Sequence, residues 1–276
     1  MARVDVRCLI VLTTQDIQAK TQKIVLLGMA SMTALNLALS NNLPLIRLAA
    51  DYQRNGRIHV PTVLEGTAAE CLLRKIEAFD AWDIHLNQGI NTFDVFPEQR
   101  KAMAPTQLND LRIAAYAGAQ KGFQYFYENY PIYDAYHAGC CAEPFIEEIF
   151  DFVNSEAFLG FMRTLTGHKN ITFADAQLTR FSPGDFLTSH DDNVYGKDRL
   201  AAYVINLTPD WRADFGGILQ FFDGNDNVEV GFTPAFNAIN VFSIPKPHAV
   251  SQVSTFAPRA RYSITGWLRS GFDPKA

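Results

Sequence analysis

The spacing of hydrophobic residues changes near residue 170 of this 276-residue chain. Before that point apolar residues recur at helical spacing, as they do in the stretches 68–79 and 145–158. Beyond it, short runs rich in β-branched and aromatic residues alternate with turn-forming residues. The pattern therefore predicts helices over residues 41–170 and a β-rich core over residues 171–270.

Eight short strands are predicted in the second part of the chain. They are Gln177–Phe181, Phe186–Ser189, Leu200–Leu207, Ile218–Phe222, Asn227–Val230, Ala238–Ser243, Ala249–Val253 and Tyr262–Leu268. Short strands separated by Gly, Pro and Asp turns are typical of a jelly roll. We expect a mainly β fold with flanking helices, in which a double-stranded β-helix (jelly roll) is covered by N-terminal helices.

The length and composition favour one catalytic domain. A chain with 48% hydrophobic residues can bury one large core, and no internal repeat divides it. We expect residues 41–276 to form a single domain after an N-terminal extension, residues 1–40, that is partly disordered. Met29 and Met32 are alternatives to Met1 as the natural start.

Ile24–Leu39 is the one candidate for a targeting or membrane segment. It is interrupted by Ser31, Thr33 and Asn36, and it is shorter than the roughly 20 apolar residues that a spanning helix needs. It also lacks a clear cleavage site. The segment is therefore interpreted as an amphipathic helix, and no membrane association is expected.

The net charge bears on whether the protein binds nucleic acid, and the cysteine content bears on the cellular compartment in which it works. A net charge of −5 provides no basic excess for a phosphate backbone, so we expect no nucleic-acid partner. The cysteines lack the spacing of a zinc site and do not form a disulfide framework in a chain of this length. We expect reduced thiols and a cytoplasmic protein. The four cysteines are Cys8, Cys71, Cys140 and Cys141.

Aromatic residues are concentrated between positions 123 and 136. One interpretation, which we favour, is that their rings fill the seam between the helices and the β-rich core. The other is that some of them line a substrate groove. The residues are Phe123, Tyr125, Phe126, Tyr127, Tyr130, Tyr133 and Tyr136.

Two of the six histidines have neighbours that suggest a metal site. His190 and Asp192 are two residues apart, so they can point to the same side of an extended chain. His248 begins another predicted strand about 60 residues further on, a separation that a jelly roll can close. Two imidazoles and one carboxylate leave three positions of an octahedral ion open, which suits ferrous iron and O₂. His-x-Asp alone is a weak signal.

Arg261 strengthens this interpretation. Strand alternation places it on one face with Ser263, Thr265 and Trp267, a polar row inside an apolar barrel. A buried guanidinium requires a partner, and the distal carboxylate of a dicarboxylic acid would supply one. The alternative is an ion pair with a local Asp or Glu. Arg259, two residues earlier, lies nearer the loop.

Several stretches together resemble a known family far more specifically than His-x-Asp does. They are Leu178–Asp192, Arg199–Trp211, Gly216–Leu219, Pro247–Val250 and Arg261–Trp267. Their order and spacing resemble the prolyl 4-hydroxylase-like branch of the 2-oxoglutarate and iron(II)-dependent dioxygenases. The likeness covers roughly residues 140–270 and is greatest to bacterial and fungal proline hydroxylases that act on proteins.

The resemblance implies roles for particular residues. His190, Asp192 and His248 would bind Fe(II), and no other catalytic residue is implied. Arg261 would bind the distal carboxylate of 2-oxoglutarate, with Thr265 as a second contact to it. A carboxylate at Asp192, where a halogenase carries a small residue, favours hydroxylation.

Two positions depart from the family's pattern. Asn206 stands where relatives often carry a Tyr that touches 2-oxoglutarate, and it is included among the predicted cosubstrate contacts. Phe181 occupies a place where Tyr is usual, which removes one hydroxyl. Neither departure affects the metal-binding residues.

The resemblance also implies an activity. It is hydroxylation of a prolyl residue in a protein with O₂ and 2-oxoglutarate, releasing succinate and CO₂, with ascorbate as a reductant. One rival is hydroxylation of a free amino acid or small metabolite, and another is a non-catalytic sensor of iron or 2-oxoglutarate that binds a partner. A cupin-like enzyme without a keto acid is disfavoured by Arg261.

Overall fold

The computed structural model describes residues 35–275 of the chain. Seven α-helices lie in this part: α1 (Leu45–Asn55), α2 (Ala68–Ala78), α3 (Pro97–Ala102), α4 (Pro105–Ala119), α5 (Ile132–His137), α6 (Pro144–Val153) and α7 (Glu156–Thr166). The first six strands are β1 (Arg57–Pro61), β2 (Asp83–Gln88), β3 (Asn91–Val95), β4 (Tyr125–Tyr130), β5 (Ile171–Ala174) and β6 (Gln177–Phe181). The others are β7 (Phe186–His190), β8 (Arg199–Asn206), β9 (Leu219–Phe222), β10 (Val228–Phe232), β11 (Ala238–Ser243), β12 (His248–Val250) and β13 (Arg261–Ser270).

The strands form two four-stranded antiparallel sheets that one further strand joins into a nearly closed barrel. One sheet has the order β11-β8-β13-β6, and the other has the order β7-β12-β9-β10. The joining strand is β4, which pairs with β7 through Tyr125 and Phe126 and with β6 through Glu128–Tyr130, while β2 pairs with its other edge. This arrangement confirms the predicted jelly roll. Each of the eight predicted strands is present, although the one predicted at Ala249–Val253 is the shorter β12.

Strands β1 to β5 were not predicted. β4 shows why, because all six of its residues are buried and its sequence has no polar alternation to reveal a strand. β2 and β3 form a hairpin whose turn contains Gly89 in the left-handed conformation. The segment 41–170 therefore contributes strands as well as helices, and β4 is central to the barrel.

Helices cover the outer face of the first sheet, as the sequence predicts. α6 buries Ile146, Ile149 and Val153, which recur at a spacing of three or four residues along one face. They join a core cluster that includes Ile264 and Leu268 of β13. Full burial of each such side chain contributes about 1.5–3 kcal/mol. The alternate residues of β13 are left facing the barrel interior.

The described chain already packs against the core where it begins. Leu35 is buried, and Leu37 and Leu39 contact the same cluster. The two alternative starts, most of the predicted extension over residues 1–40 and much of Ile24–Leu39 lie outside the described residues. No helix among residues 35–275 has the length and apolar character that crossing a membrane requires. The three cysteines of this part are free.

Gly266 tests how tightly β13 packs against its neighbours. A Cβ added at this position would lie 1.9 Å from the backbone oxygen of Asp175 and 2.7 Å from the hydroxyl of Tyr203. Gly266→Ala is therefore expected to lower the free energy of unfolding by about 1–3 kcal/mol, measured by denaturant titration. Gly224→Ala is the matched control, because an added Cβ there meets nothing within 4 Å. Equal stability of the two variants would contradict this packing.

Candidate metal centre and binding cavity

The backbone brings the two predicted histidine ligands together. His190 ends β7 and His248 begins β12, and the two residues are direct partners in the antiparallel ladder. Their ring centroids are 4.2 Å apart. Asp192 follows β7 in a left-handed conformation, with φ of 61°, which Asp tolerates better than most residues. A separation of about 60 residues in sequence is thus closed by one strand pair.

The carboxylate of Asp192 lies between the two imidazoles. Its Oδ1 is 3.4 Å from Nε2 of His190, and its Oδ2 is 3.4 Å from Nε2 of His248. Each of the three residues offers one atom that could bind a metal, and these three atoms lie within 4.8 Å of one another. Neighbouring ligands of an octahedral ion lie about 3 Å apart when each bond is about 2.1 Å. The spacing therefore fits one shared metal ion.

The outer nitrogens of both rings are bonded to the backbone. Nδ1 of His190 is 3.0 Å from the carbonyl oxygen of Thr188, and Nδ1 of His248 is 2.8 Å from that of Lys246. A carbonyl only accepts hydrogen bonds, so each Nδ1 carries the proton and donates. Nε2 is then the nitrogen of each ring that faces Asp192 and that a metal ion would engage. This is the supporting arrangement that metal-binding histidines commonly have.

Asp192 is poised as an anionic ligand. Burial by itself would raise the pKa of its carboxyl group, but hydrogen bonds and charge from His190 and His248 prevail and hold that pKa below its usual range. The backbone oxygen of Asp192 also accepts a hydrogen bond from Arg199 at 3.2 Å. The carboxylate is therefore ionised and held in place.

The three residues border a cavity of about 450 Å³ inside the barrel, and Arg261 lines the same cavity. The side chain of Arg261 is 2% exposed. Burial lowers the pKa of its guanidinium to about 10, so it remains charged at neutral pH. No carboxylate among the described residues pairs with it, so the alternative of a local ion pair is wrong for this part of the chain.

The bonding of Arg261 allows a test of whether the cavity fits a dicarboxylic acid. Nη2 of Arg261 makes a long hydrogen bond of 3.4 Å to Asn206, while Nε and Nη1 are buried and have no partner among residues 35–275. A buried, charged donor without an acceptor is costly. A carboxylate bound here would accept from two of these N–H groups at once. The residues present therefore fit 2-oxoglutarate.

The two remaining predicted contacts occupy different places. Thr265 lines the cavity, and its hydroxyl is buried without a partner among the described residues. Asn206 is fully buried but does not line the cavity. Its side-chain oxygen accepts the hydrogen bond from Nη2 of Arg261, and its amide donates to the backbone oxygen of Ala238 at 3.3 Å. Asn206 thus supports Arg261 rather than reaching the cosubstrate directly.

Some aromatic residues of the stretch 123–136 line the cavity, and others fill the core, so each of the two interpretations holds for part of the stretch. Phe123, Tyr125 and Tyr127 line the cavity, whereas Tyr130 belongs to the main core cluster and Tyr133 packs against it. Residues spaced by two on β4 share a face, so strand periodicity is the signal that would have identified the cavity group. The sequence analysis also missed other residues that line the cavity: His85, Thr92, Gln177 and Arg199.

Comparison with known proteins agrees with this geometry. Residues 176–269 match the family model described as the 2OG-Fe(II) oxygenase superfamily. A curated relative, prolyl 3-hydroxylase OGFOD1 of Mus musculus, is 27% identical over 120 residues, which are 41% of this chain and 22% of that protein. The chain thus spans about a fifth of that relative's length.

Solved structures show the same fold. The prolyl-4-hydroxylase of Pseudomonas putida has a TM-score of 0.52 and 17% identity, over 82% of this chain and 99% of that one. The prolyl hydroxylase of Trichoplax adhaerens, solved with a peptide fragment of the hypoxia inducible factor oxygen degradation domain, has a TM-score of 0.52 and 15% identity. That match covers 82% of this chain and 90% of the other.

The family match includes both histidines, Asp192 and Arg261, and those residues meet in one cavity. The resemblance inferred from the sequence is confirmed. Residues 176–269 thus resemble the 2-oxoglutarate- and iron(II)-dependent oxygenase superfamily, and the chain as a whole is similar to the prolyl 4-hydroxylase-like branch of that superfamily.

Proposed function

We propose that this protein is an Fe(II)- and 2-oxoglutarate-dependent hydroxylase that modifies a prolyl residue in a polypeptide and releases succinate and CO₂. One observation carries the proposal: the His190, Asp192 and His248 cluster and the unpaired guanidinium of Arg261 lie in the same buried cavity. The names of the relatives, which are prolyl hydroxylases, support the choice of target.

The chain's own residues would bind, orient and shield the reactants. His190, Asp192 and His248 would hold Fe(II), and Arg261 would bind the distal carboxylate of 2-oxoglutarate. When bound, the metal and the keto acid supply the O₂-dependent oxidation that no side chain can perform. The buried wall around Arg261 excludes water, which strengthens its electrostatic contact with the cosubstrate.

The mouth of the cavity supports a polypeptide over a free amino acid. Phe123 and Val194 line the cavity, and they are 47% and 46% exposed. The ring of Phe123 is centred 5.4 Å from that of His190, so an apolar surface leads outward from the metal centre. A polypeptide substrate would contact these side chains as it enters the cavity.

Removal of a metal ligand is expected to abolish turnover. His190→Ala or Asp192→Ala leaves two of three ligands, so 2-oxoglutarate-dependent succinate formation should fall to background in assays with Fe(II) and ascorbate. Asp191→Ala is the matched control, because Oδ1 of Asp191 accepts the N–H of Asn193 at 3.0 Å and lies outside the cluster. Undiminished succinate formation by either ligand variant would refute the metal assignment.

Arg261→Met is expected to weaken the binding of 2-oxoglutarate without lowering the stability of the protein. The loss of two charge-assisted hydrogen bonds should weaken 2-oxoglutarate binding by about 100-fold or more. Without ligand, the variant should be at least as stable as the wild type, because it no longer buries an unpaired charge. Calorimetric titration and thermal unfolding measure the two effects. Arg259→Met, which alters an exposed arginine, should change neither quantity, and wild-type affinity in Arg261→Met would contradict the assignment.

The substrate class is tested by mass spectrometry of a cell lysate treated with the protein, Fe(II), ascorbate and 2-oxoglutarate. We expect peptides whose mass rises by about 16 Da, one oxygen atom, at a proline. The matched control is the same lysate treated with Asp192→Ala. Oxidised free amino acids or metabolites without oxidised peptides would favour the small-molecule rival. Absence of succinate would favour the sensor.

A further inference from the structure

The cavity is rich in hydrogen-bond donors that lack acceptors. Four kinds of buried donor have no partner among the described residues: Nε of Arg199, Nε and Nη1 of Arg261, Nε1 of Trp267 and the hydroxyl of Thr265. All four residues line the cavity. Because unpaired buried donors cost free energy, the cavity favours a ligand with many acceptor oxygens. Such a ligand can also accept from a hydroxyl elsewhere on the cavity wall.

Tyr127 also lines the cavity, on a strand that is separated from β13 by β6 alone. β4 pairs with β6 so that Glu128 lies across from Arg180, which places Tyr127 beside Phe181. The two rings are stacked with their centroids 4.6 Å apart and an angle of 9° between their planes. The guanidinium carbon of Arg261 is 5.4 Å from the centre of the same Phe181 ring. Tyr127 and Arg261 are therefore both neighbours of the Phe181 ring.

The side chain of Gln177 is a neighbour of the Tyr127 hydroxyl, and both residues line the cavity. Its amide favours the ionised form of the phenol, as a hydrogen-bond donor does. A phenol oxygen that accepts a hydrogen bond still carries an O–H that can donate to another group.

The phenol also stays protonated. Burial, followed by the neighbouring Tyr125 and the charge of Asp192, raises the pKa of Tyr127 well above its usual range. A protonated phenol is a hydrogen-bond donor, and this side chain lines the cavity. Tyr127 can therefore donate to the same oxygen-rich ligand that the unpaired donors favour.

We propose that Tyr127 is a cosubstrate-binding residue, whose hydroxyl donates a hydrogen bond to an oxygen of 2-oxoglutarate. The inference rests on the proposed function and extends it by adding a contact on β4 to those of β13. It also explains how the cavity holds an oxygen-rich ligand although Phe181 lacks a hydroxyl and Asn206 is withdrawn behind Arg261.

Tyr125 provides a matched control. It lies two residues earlier on the same face of β4 and also lines the cavity. Its hydroxyl, however, donates to Oγ1 of Thr92 at 3.1 Å, and its ring stacks on His85 with centroids 4.7 Å apart. Tyr125 is thus engaged with the β2–β3 hairpin. Removing its hydroxyl should leave the binding of 2-oxoglutarate unchanged.

The test is calorimetric titration of 2-oxoglutarate into the full chain loaded with Mn²⁺, which permits binding without turnover. Loss of one hydrogen bond to a charged ligand should weaken the affinity of Tyr127→Phe roughly tenfold. Tyr125→Phe should stay within about twofold of the wild type, and the thermal midpoints of both variants should match it. Wild-type affinity in Tyr127→Phe, or equal weakening in both variants, would overturn the inference alone. A wild-type protein that does not bind 2-oxoglutarate would overturn the proposed function as well.

Discussion

The pairing of β7 with β12 is the constraint on which the metal centre depends. It makes His190 and His248 direct partners across an antiparallel ladder, so the register of one strand pair decides whether the two imidazoles meet. A slip by one residue would turn one histidine to the opposite face of the sheet. Backbone carbonyls at Thr188 and Lys246 then orient each ring. The site is therefore specified by backbone geometry as much as by side-chain chemistry.

A second constraint is the cost of the buried Arg261. Its partly unpaired guanidinium lowers the stability of the ligand-free barrel, and such a cost is understandable where a ligand offsets it. Phe181 below the guanidinium and Asn206 behind it restrict its position. Under the proposed function, the free energy that the barrel loses at this point would be recovered when the anionic cosubstrate binds to Arg261.

Much of the fold followed from the sequence. The strands of the jelly roll were visible because each is short, rich in β-branched residues and bounded by Gly, Pro or Asp turns. β4 was not visible, because a strand buried on both faces has no alternation to show its period. The β2–β3 hairpin was missed for another reason, since it lies among helical segments and gains its stability from pairing with β4. Tertiary context determined these elements.

The same distinction applies to the site. His190, Asp192, His248 and Arg261 were predicted from spacing and family resemblance, and the fold brings them to one cavity. Asn206 was expected to touch the cosubstrate, but its short side chain ends at Arg261. Tyr127 and Gln177 were overlooked because their roles depend on which strand lies beside β6. That pairing joins residues about 50 positions apart in the sequence, so no local sequence pattern predicts it.

The most direct test of the account is whether binding of 2-oxoglutarate depends on a metal ion, measured by calorimetry with and without Mn²⁺. If the keto acid is held jointly by the ion at the histidine and aspartate cluster and by Arg261, then removal of the metal should weaken binding by at least about tenfold. Equally tight binding to the metal-free protein would contradict a shared site for metal and cosubstrate.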